Sequence, residues 1–227
     1  MGKGWYNNPV LLRHSKNQIF AKKIQKVDGK KLLELNNGLQ TSIPDQPYVY
    51  FPFHAQPELT LMMWTKYYTN QIELAKHVSK SLPINTKLVI NDHPVQWGAR
   101  DWGFYSELIN TYNIEVMHVD VDTRKIIQNV EIVFTITSSA GLEALIYDTP
   151  VVTIGRPKYA PFYANFDFVN NVKNPYEISE SLNTATNSST DYDQLSAYIA
   201  AILEIGSSPS SPRHNKNFLE QIEMYLR

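Results

Sequence analysis

Four short polar clusters each follow an apolar run and carry side chains able to hold or protonate a phosphate. They are Phe53-His54-Ala55-Gln56-Pro57-Glu58, Asp92-His93-Pro94, Asp120-Val121-Asp122 and Thr137-Ser138-Ser139-Ala140-Gly141. The last is chemically the richest. Ser138 and Ser139 precede a segment of helical character, where the first backbone N–H groups lack intrahelical partners. Hydroxyls and open N–H groups at one turn make a phosphate cradle, although a serine at that place also serves simply as a helix cap. Gly141 permits close backbone approach, and Glu143 stands either as a ligand contact or as an acid answering the helix dipole. His93 ends the stretch Lys87-Leu-Val-Ile-Asn-Asp92, so a strand end would present its imidazole to a leaving phosphate as a proton or hydrogen-bond donor. With 6 histidines and 13 prolines in 227 residues, chance supplies roughly 0.3 His-Pro pairs, so position gives this one its weight. His54 reads as a ligand contact or as a core histidine. Asp120 and Asp122 read as acceptors for ribose hydroxyls or as loop and helix caps.

These clusters converge only if the runs before them are neighbouring strands. The proposed strands are Tyr48–Phe53, Lys87–Asn91, Ile114–Val119, Ile132–Ile136, Val151–Ile154 and Phe168–Val172. They are nearly continuous in apolar character and rich in β-branched and aromatic residues, as strands covered on both faces are. Helical periodicity occupies about 59–81, 102–112, 123–129 and 140–147 between them, with Ile72, Ala75, Val78 and Leu82 on one face and Pro83 as a stop. Strand and helix in alternation predict a doubly wound α/β domain with a parallel sheet, whose ligands bind at the carboxyl ends of the strands. Further helices are expected at about 175–186, 191–205 and 215–226. The chain divides into an irregular segment at 1–47, the α/β domain at 48–187 and packing helices at 188–227. The lysines at 22, 23, 26, 30 and 31 read as a solvated face.

Composition narrows the function. The chain is 43% hydrophobic and 19% charged, and its 21 basic and 22 acidic residues leave a net charge of −1. That balance provides no positive field for nucleic acid. The absence of cysteine removes disulfides and thiolate chemistry and suits a reducing cytoplasm. No apolar run is long enough to span a bilayer, and Met1-Gly2-Lys3-Gly4-Trp5 leads into polar sequence, so work at a membrane would be peripheral. Neither Gly-x-Gly-x-x-Gly after a strand nor a P-loop is present, nor is Gly-x-Ser-x-Gly or His-Glu-x-x-His, and no metal site or cofactor is expected.

The segments Tyr48-Val-Tyr-Phe-Pro-Phe-His-Ala-Gln-Pro-Glu58, Asn91-Asp-His-Pro94, Phe104-Tyr105 and Thr137-Ser-Ser-Ala-Gly-Leu-Glu-Ala-Leu145, followed by Pro150-Val-Val, together resemble the capsule polysaccharide biosynthesis family. That family includes bacterial Kdo transferases, and the likeness runs from about residue 48 to 157. It implies a GT-B glycosyltransferase of two Rossmann-like domains, of which this chain is the nucleotide-binding half. It also implies a cytidine-nucleotide sugar as donor, with His93, Ser138 and Ser139 on the donor phosphate. The acceptor glycan or glycolipid and the general base would belong to a second domain, at the cytoplasmic membrane face beside export machinery. Teichoic acid polymerases that use CDP-glycerol share part of the pattern. A non-catalytic nucleotide-sugar-binding or assembly module is a third reading.

Overall fold

The computed structural model describes residues 39–58, 61, 62, 65–96, 100, 102–155 and 162–206. Seven parallel strands form one sheet: β1 (Leu39–Gln40), β2 (Tyr48–Pro52), β3 (Lys87–Asn91), β4 (Ile114–Met117), β5 (Ile132–Thr135), β6 (Val151–Ile154) and β7 (Asn170–Val172). Their spatial order is β1-β4-β3-β2-β5-β6-β7. The helices are α1 (Gln71–Ser81), α2 (Trp102–Ile109), α3 (Thr123–Gln128), α4 (Ala140–Ile146), α5 (Ile178–Ala185) and α6 (Tyr192–Gly206). The fold is therefore the doubly wound α/β sheet that the alternation of runs predicts.

Each central strand is buried on both faces, which explains its unbroken apolar sequence. All five residues of β2 are buried. Side-chain alternation sends Val49 and Phe51 to one face and Tyr48 and Tyr50 to the other. On the first face Leu74, Ala75 and Val78 of α1, Tyr105 and Leu108 of α2, and Ile178, Leu182 and Ala185 of α5 complete a core around Phe51 and Phe134. Across the sheet Ile126 and Ile127 of α3, Ala144 and Leu145 of α4, and Leu195 of α6 pack with Tyr48, Tyr50 and Val133. The Tyr48 hydroxyl would be stranded in that core without a partner. It donates to the Ile126 carbonyl at 2.8 Å, and burial pushes its pKa up to about 12. At the opposite, amino-terminal edge, the chain turns into β3, β4 and β6 through Asn85, Asn113 and Asp148, at φ of 66°, 64° and 57°. Asn and Asp tolerate this left-handed conformation better than other non-glycine residues.

Three sequence expectations need correction. Residues 39 and 40, inside the segment read as irregular, pair in parallel with Val116 and Met117 as an edge strand. The helix expected over 59–81 starts only at Gln71, because Asn70 caps it by accepting the Glu73 N–H at 3.2 Å, and Lys66–Tyr68 form a separate 3-10 turn. The expected strands at 48–53, 114–119, 132–136 and 168–172 each lose one or two residues at an end where the chain leaves the ladder. The expected helix at 215–226 and the lysines at 22–31 lie outside the described residues.

Candidate functional site

Strand order reverses between β2 and β5: β3 and β4 lie on one side of β2, while β6 and β7 continue beyond β5. The carboxyl ends of β2 and β5 therefore border the crevice where ligands settle in open α/β sheets. His54 follows β2 and Thr137 follows β5, and they meet: the Thr137 N–H donates to His54 Nε2 at 3.3 Å. The other ring nitrogen, Nδ1, faces Glu58 Oε2 at 3.0 Å. A ring that accepts at Nε2 carries its proton on Nδ1, where Glu58 accepts it. His54 is only 4% exposed, and burial lowers its pKa below the usual 6.5, with His93 adding to the effect and Glu58 opposing it. Its main chain is equally fixed. The His54 N–H donates to Gln71 Oε1 at 2.7 Å, and the His54 carbonyl accepts from Gln71 Nε2 at 3.1 Å.

The end of β3 holds a buried ion pair. Asp92, 2% exposed, accepts both of its contacts with Arg100 from Nε, at 3.1 and 3.2 Å. The Tyr105 hydroxyl donates to Asp92 Oδ2 at 2.6 Å, and the His93 N–H donates to Oδ1 at 2.9 Å. Arg100 reaches on to the loop after β2, donating from Nη2 to the His54 carbonyl at 2.7 Å and from Nη1 to Gln56 Oε1 at 3.0 Å. Its guanidinium also lies 4.2 Å from the centre of the Phe104 ring. Burying a carboxylate is costly without such partners. His93 itself is exposed, and its Nδ1 accepts the Val95 N–H at 3.2 Å, which places the proton of the neutral ring on Nε2.

After β5 the serines take different positions. Ser138 Oγ accepts the Ala140 N–H at 3.2 Å, and the Ser138 N–H donates to Thr135 Oγ1 at 3.1 Å. Ser138 thus acts as a cap at the start of α4 while its own hydroxyl proton stays available to another acceptor. Ser139 is exposed and its side chain makes no capping hydrogen bond. Gly141 faces Tyr163: a Cβ there would stand 2.6 Å from the Tyr163 hydroxyl oxygen and 2.7 Å from its ring. The same hydroxyl donates to the Ser138 carbonyl. Glu143 is close enough to buried Tyr50 for its charge to add to burial in raising the Tyr50 pKa.

Asp120 and Asp122 stand apart. They follow β4, three strands from β5 in the sheet, or about 14 Å at the usual strand spacing. Asp122 Oδ1 accepts the Arg124 N–H at 3.0 Å and caps α3. The Asp120 N–H donates to His118 Nδ1 at 3.3 Å. Both line a cavity of about 710 Å³ with Thr41, Ile43, His118 and Lys125. The structure thus gathers His54, His93, Ser138 and Ser139 on the adjacent ends of β3, β2 and β5. Arg100, Gln56, Gln71 and Thr137 complete the arrangement; Gln56 and Thr137 lie in the sequence clusters without an assigned role, and Arg100 and Gln71 are absent from the sequence reading. Arg100 had one usable signal: Asp92 ends a buried strand and needs a cation, and Arg100 is the only Lys or Arg between residues 88 and 123.

Residues 68–162 match the family model described as capsule polysaccharide biosynthesis protein. The family segment contains His93, Ser138, Ser139, Gly141, Glu143, Asp120 and Asp122, while His54 and Glu58 precede it. The capsule polysaccharide modification protein LipA of Neisseria meningitidis is 30% identical over 71 residues in both a serogroup A and a serogroup B strain. Those residues are 31% of this chain and 10% of LipA, so the match spans about a tenth of its curated relatives. Among solved structures, the beta Kdo 2,7 transferase of Thermosulfurimonas dismutans KpsC is 21% identical, with a TM-score of 0.47 over 71% of this chain and 52% of that one. The UDP-GlcNAc 2-epimerase of Methanocaldococcus jannaschii is 12% identical, with a TM-score of 0.47 over 81% and 50%.

Proposed function

We propose that this α/β unit is the donor-binding half of a GT-B glycosyltransferase that takes a Kdo-like sugar from a cytidine nucleotide during capsule or surface polysaccharide synthesis. The observation that carries the reading is the meeting of the β2, β3 and β5 ends at the reversal of strand order, with the β3 and β5 ends inside the capsule-family segment. The donor phosphate sits over the loop after β5, where the Ser138 and Ser139 hydroxyls donate to it. His93, whose Nδ1 accepts the Val95 N–H and leaves the proton on Nε2, donates to the phosphate as the bond to the sugar breaks. Fixed donors aimed at developing charge act mainly on the transition state, and loss of one typically costs about 2.7 to 4 kcal/mol there. The acceptor glycan and the base that deprotonates it come from a second domain.

Calorimetry tests the donor class. CMP is expected to bind more tightly than UDP or GMP, and UDP binding as tight as CMP sinks the cytidine reading. Tighter binding of CDP-glycerol than of CMP moves the chain to glycerol phosphate transfer. The serines separate cleanly in the same assay. Ser139→Ala and His93→Ala should each weaken CMP by about 1.5 to 3 kcal/mol, the scale of a hydrogen bond to a charged group, with little change in melting. Ser138→Ala should in addition lower stability by about 1 kcal/mol through the lost cap.

A further inference from the structure

We infer that His54 is a positioning residue that ties the phosphate-binding loop to β2 and does not itself touch the ligand. Both ring nitrogens are already engaged, Nδ1 with Glu58 and Nε2 with the Thr137 N–H. The ring is buried at 4% exposure, and the backbone of His54 is clamped by Gln71 from α1 and by Arg100. Such a side chain has no hydrogen-bonding atom left for a phosphate without giving up a contact. It has what is needed to set the position of Thr137, and Thr137 leads directly into Ser138 and Ser139. The chain of contacts runs from Glu58, which selects the tautomer, through the imidazole to the amide at the start of the loop. Binding geometry held by locked side chains is what a preorganised site requires. The inference deepens the donor-binding reading and rests on it for the identity of the loop's ligand, although the contact itself is independent of any nucleotide.

Two near-isosteres separate positioning from contact in the full chain. In His54→Gln the side-chain oxygen can take the place of Nε2 and accept from Thr137, whereas the shorter His54→Asn reaches only the place of Nδ1. Two quantities are read: hydrogen exchange of the Thr137 amide by NMR without ligand, and CMP affinity by calorimetry. His54→Asn should speed Thr137 exchange and weaken CMP by about 3- to 10-fold each, the scale of one lost hydrogen bond. His54→Gln should stay near wild type in both. Glu58→Ala, at a partly exposed position, should also speed Thr137 exchange by freeing the tautomer, and it serves if His54→Asn fails to fold. Equal loss of CMP binding in the Gln and Asn variants with unchanged Thr137 exchange overturns the inference and makes His54 a ligand contact. Should wild type bind no CMP while Thr137 exchange still follows this order, the donor assignment falls and the positioning role stands.

Discussion

Gly141 shows how a residue type that suits a phosphate loop is also demanded by packing. Its α-carbon faces the Tyr163 ring, and an added methyl would stand 2.6 Å from the tyrosine oxygen. Gly141→Ala should therefore destabilise the chain by about 1 to 3 kcal/mol, the scale of overpacking. Chemical denaturation of Gly141→Ala and of Gly141→Ala with Tyr163→Ala checks this, because the second change removes the obstruction and its cost should not add to the first. His54 gives a pH dependence with a definite sign. Its folded pKa is depressed, so between the unfolded value near 6.5 and the lower folded value the unfolded chain binds the extra proton. Stability is then full above about pH 6.5 and falls as the solution is acidified through that window. Glu58 opposes the shift, and His93 reinforces it. Melting temperatures at pH 7.5 and 5.5 should drop more for wild type than for His54→Gln; parallel curves would remove His54 as the source.

At the scale of elements, the Asp92–Arg100 pair joins the loops after β2 and β3, with Arg100 reaching the His54 carbonyl and Gln56. Arg100→Met leaves a buried carboxylate without its cation and should cost about 3 to 5 kcal/mol. Adding Asp92→Asn should recover part of that loss in the same urea titration, and a loss below 1 kcal/mol for Arg100→Met alone would show the pair to be marginal. This staple also marks where reading the sequence ran out. The strands were legible because burial on both faces writes long apolar runs, and the clusters after β2, β3 and β5 followed from them. Arg100 meets His54 across 46 residues, and no local pattern encodes a contact at that separation. β1 was missed because two residues carry no periodicity. The start of α1 is different: Asn70 and Glu73 form a readable start signal that lies inside the stretch assigned to the helix.

For the whole molecule, the two cores on opposite sheet faces pack helices against both sides of one sheet. Leu195 of α6 is buried with Tyr48, Tyr50 and Phe166, and Tyr198 stacks edge-on to Phe166 at 5.5 Å. Leu195→Ala should cost about 2 to 5 kcal/mol, as core truncations do, and should shift a single unfolding transition. A separate early transition would instead make α6 an independent appendage.

The borders of the sheet bear on how the chain behaves in crowded solution. Its outermost strands among the described residues are stubs: β1 has two residues and β7 three. A long open border is a template on which a second chain can extend a sheet, and short border strands are one way proteins deny it. Among the described residues, an approaching strand meets only a few unpaired main-chain groups on either side before the ladder ends. β1 also shields the apolar β4 segment Ile114-Glu115-Val116-Met117 by pairing with its second half. The two residues that looked least like structure thus stand between a buried apolar strand and its neighbours in a concentrated sample.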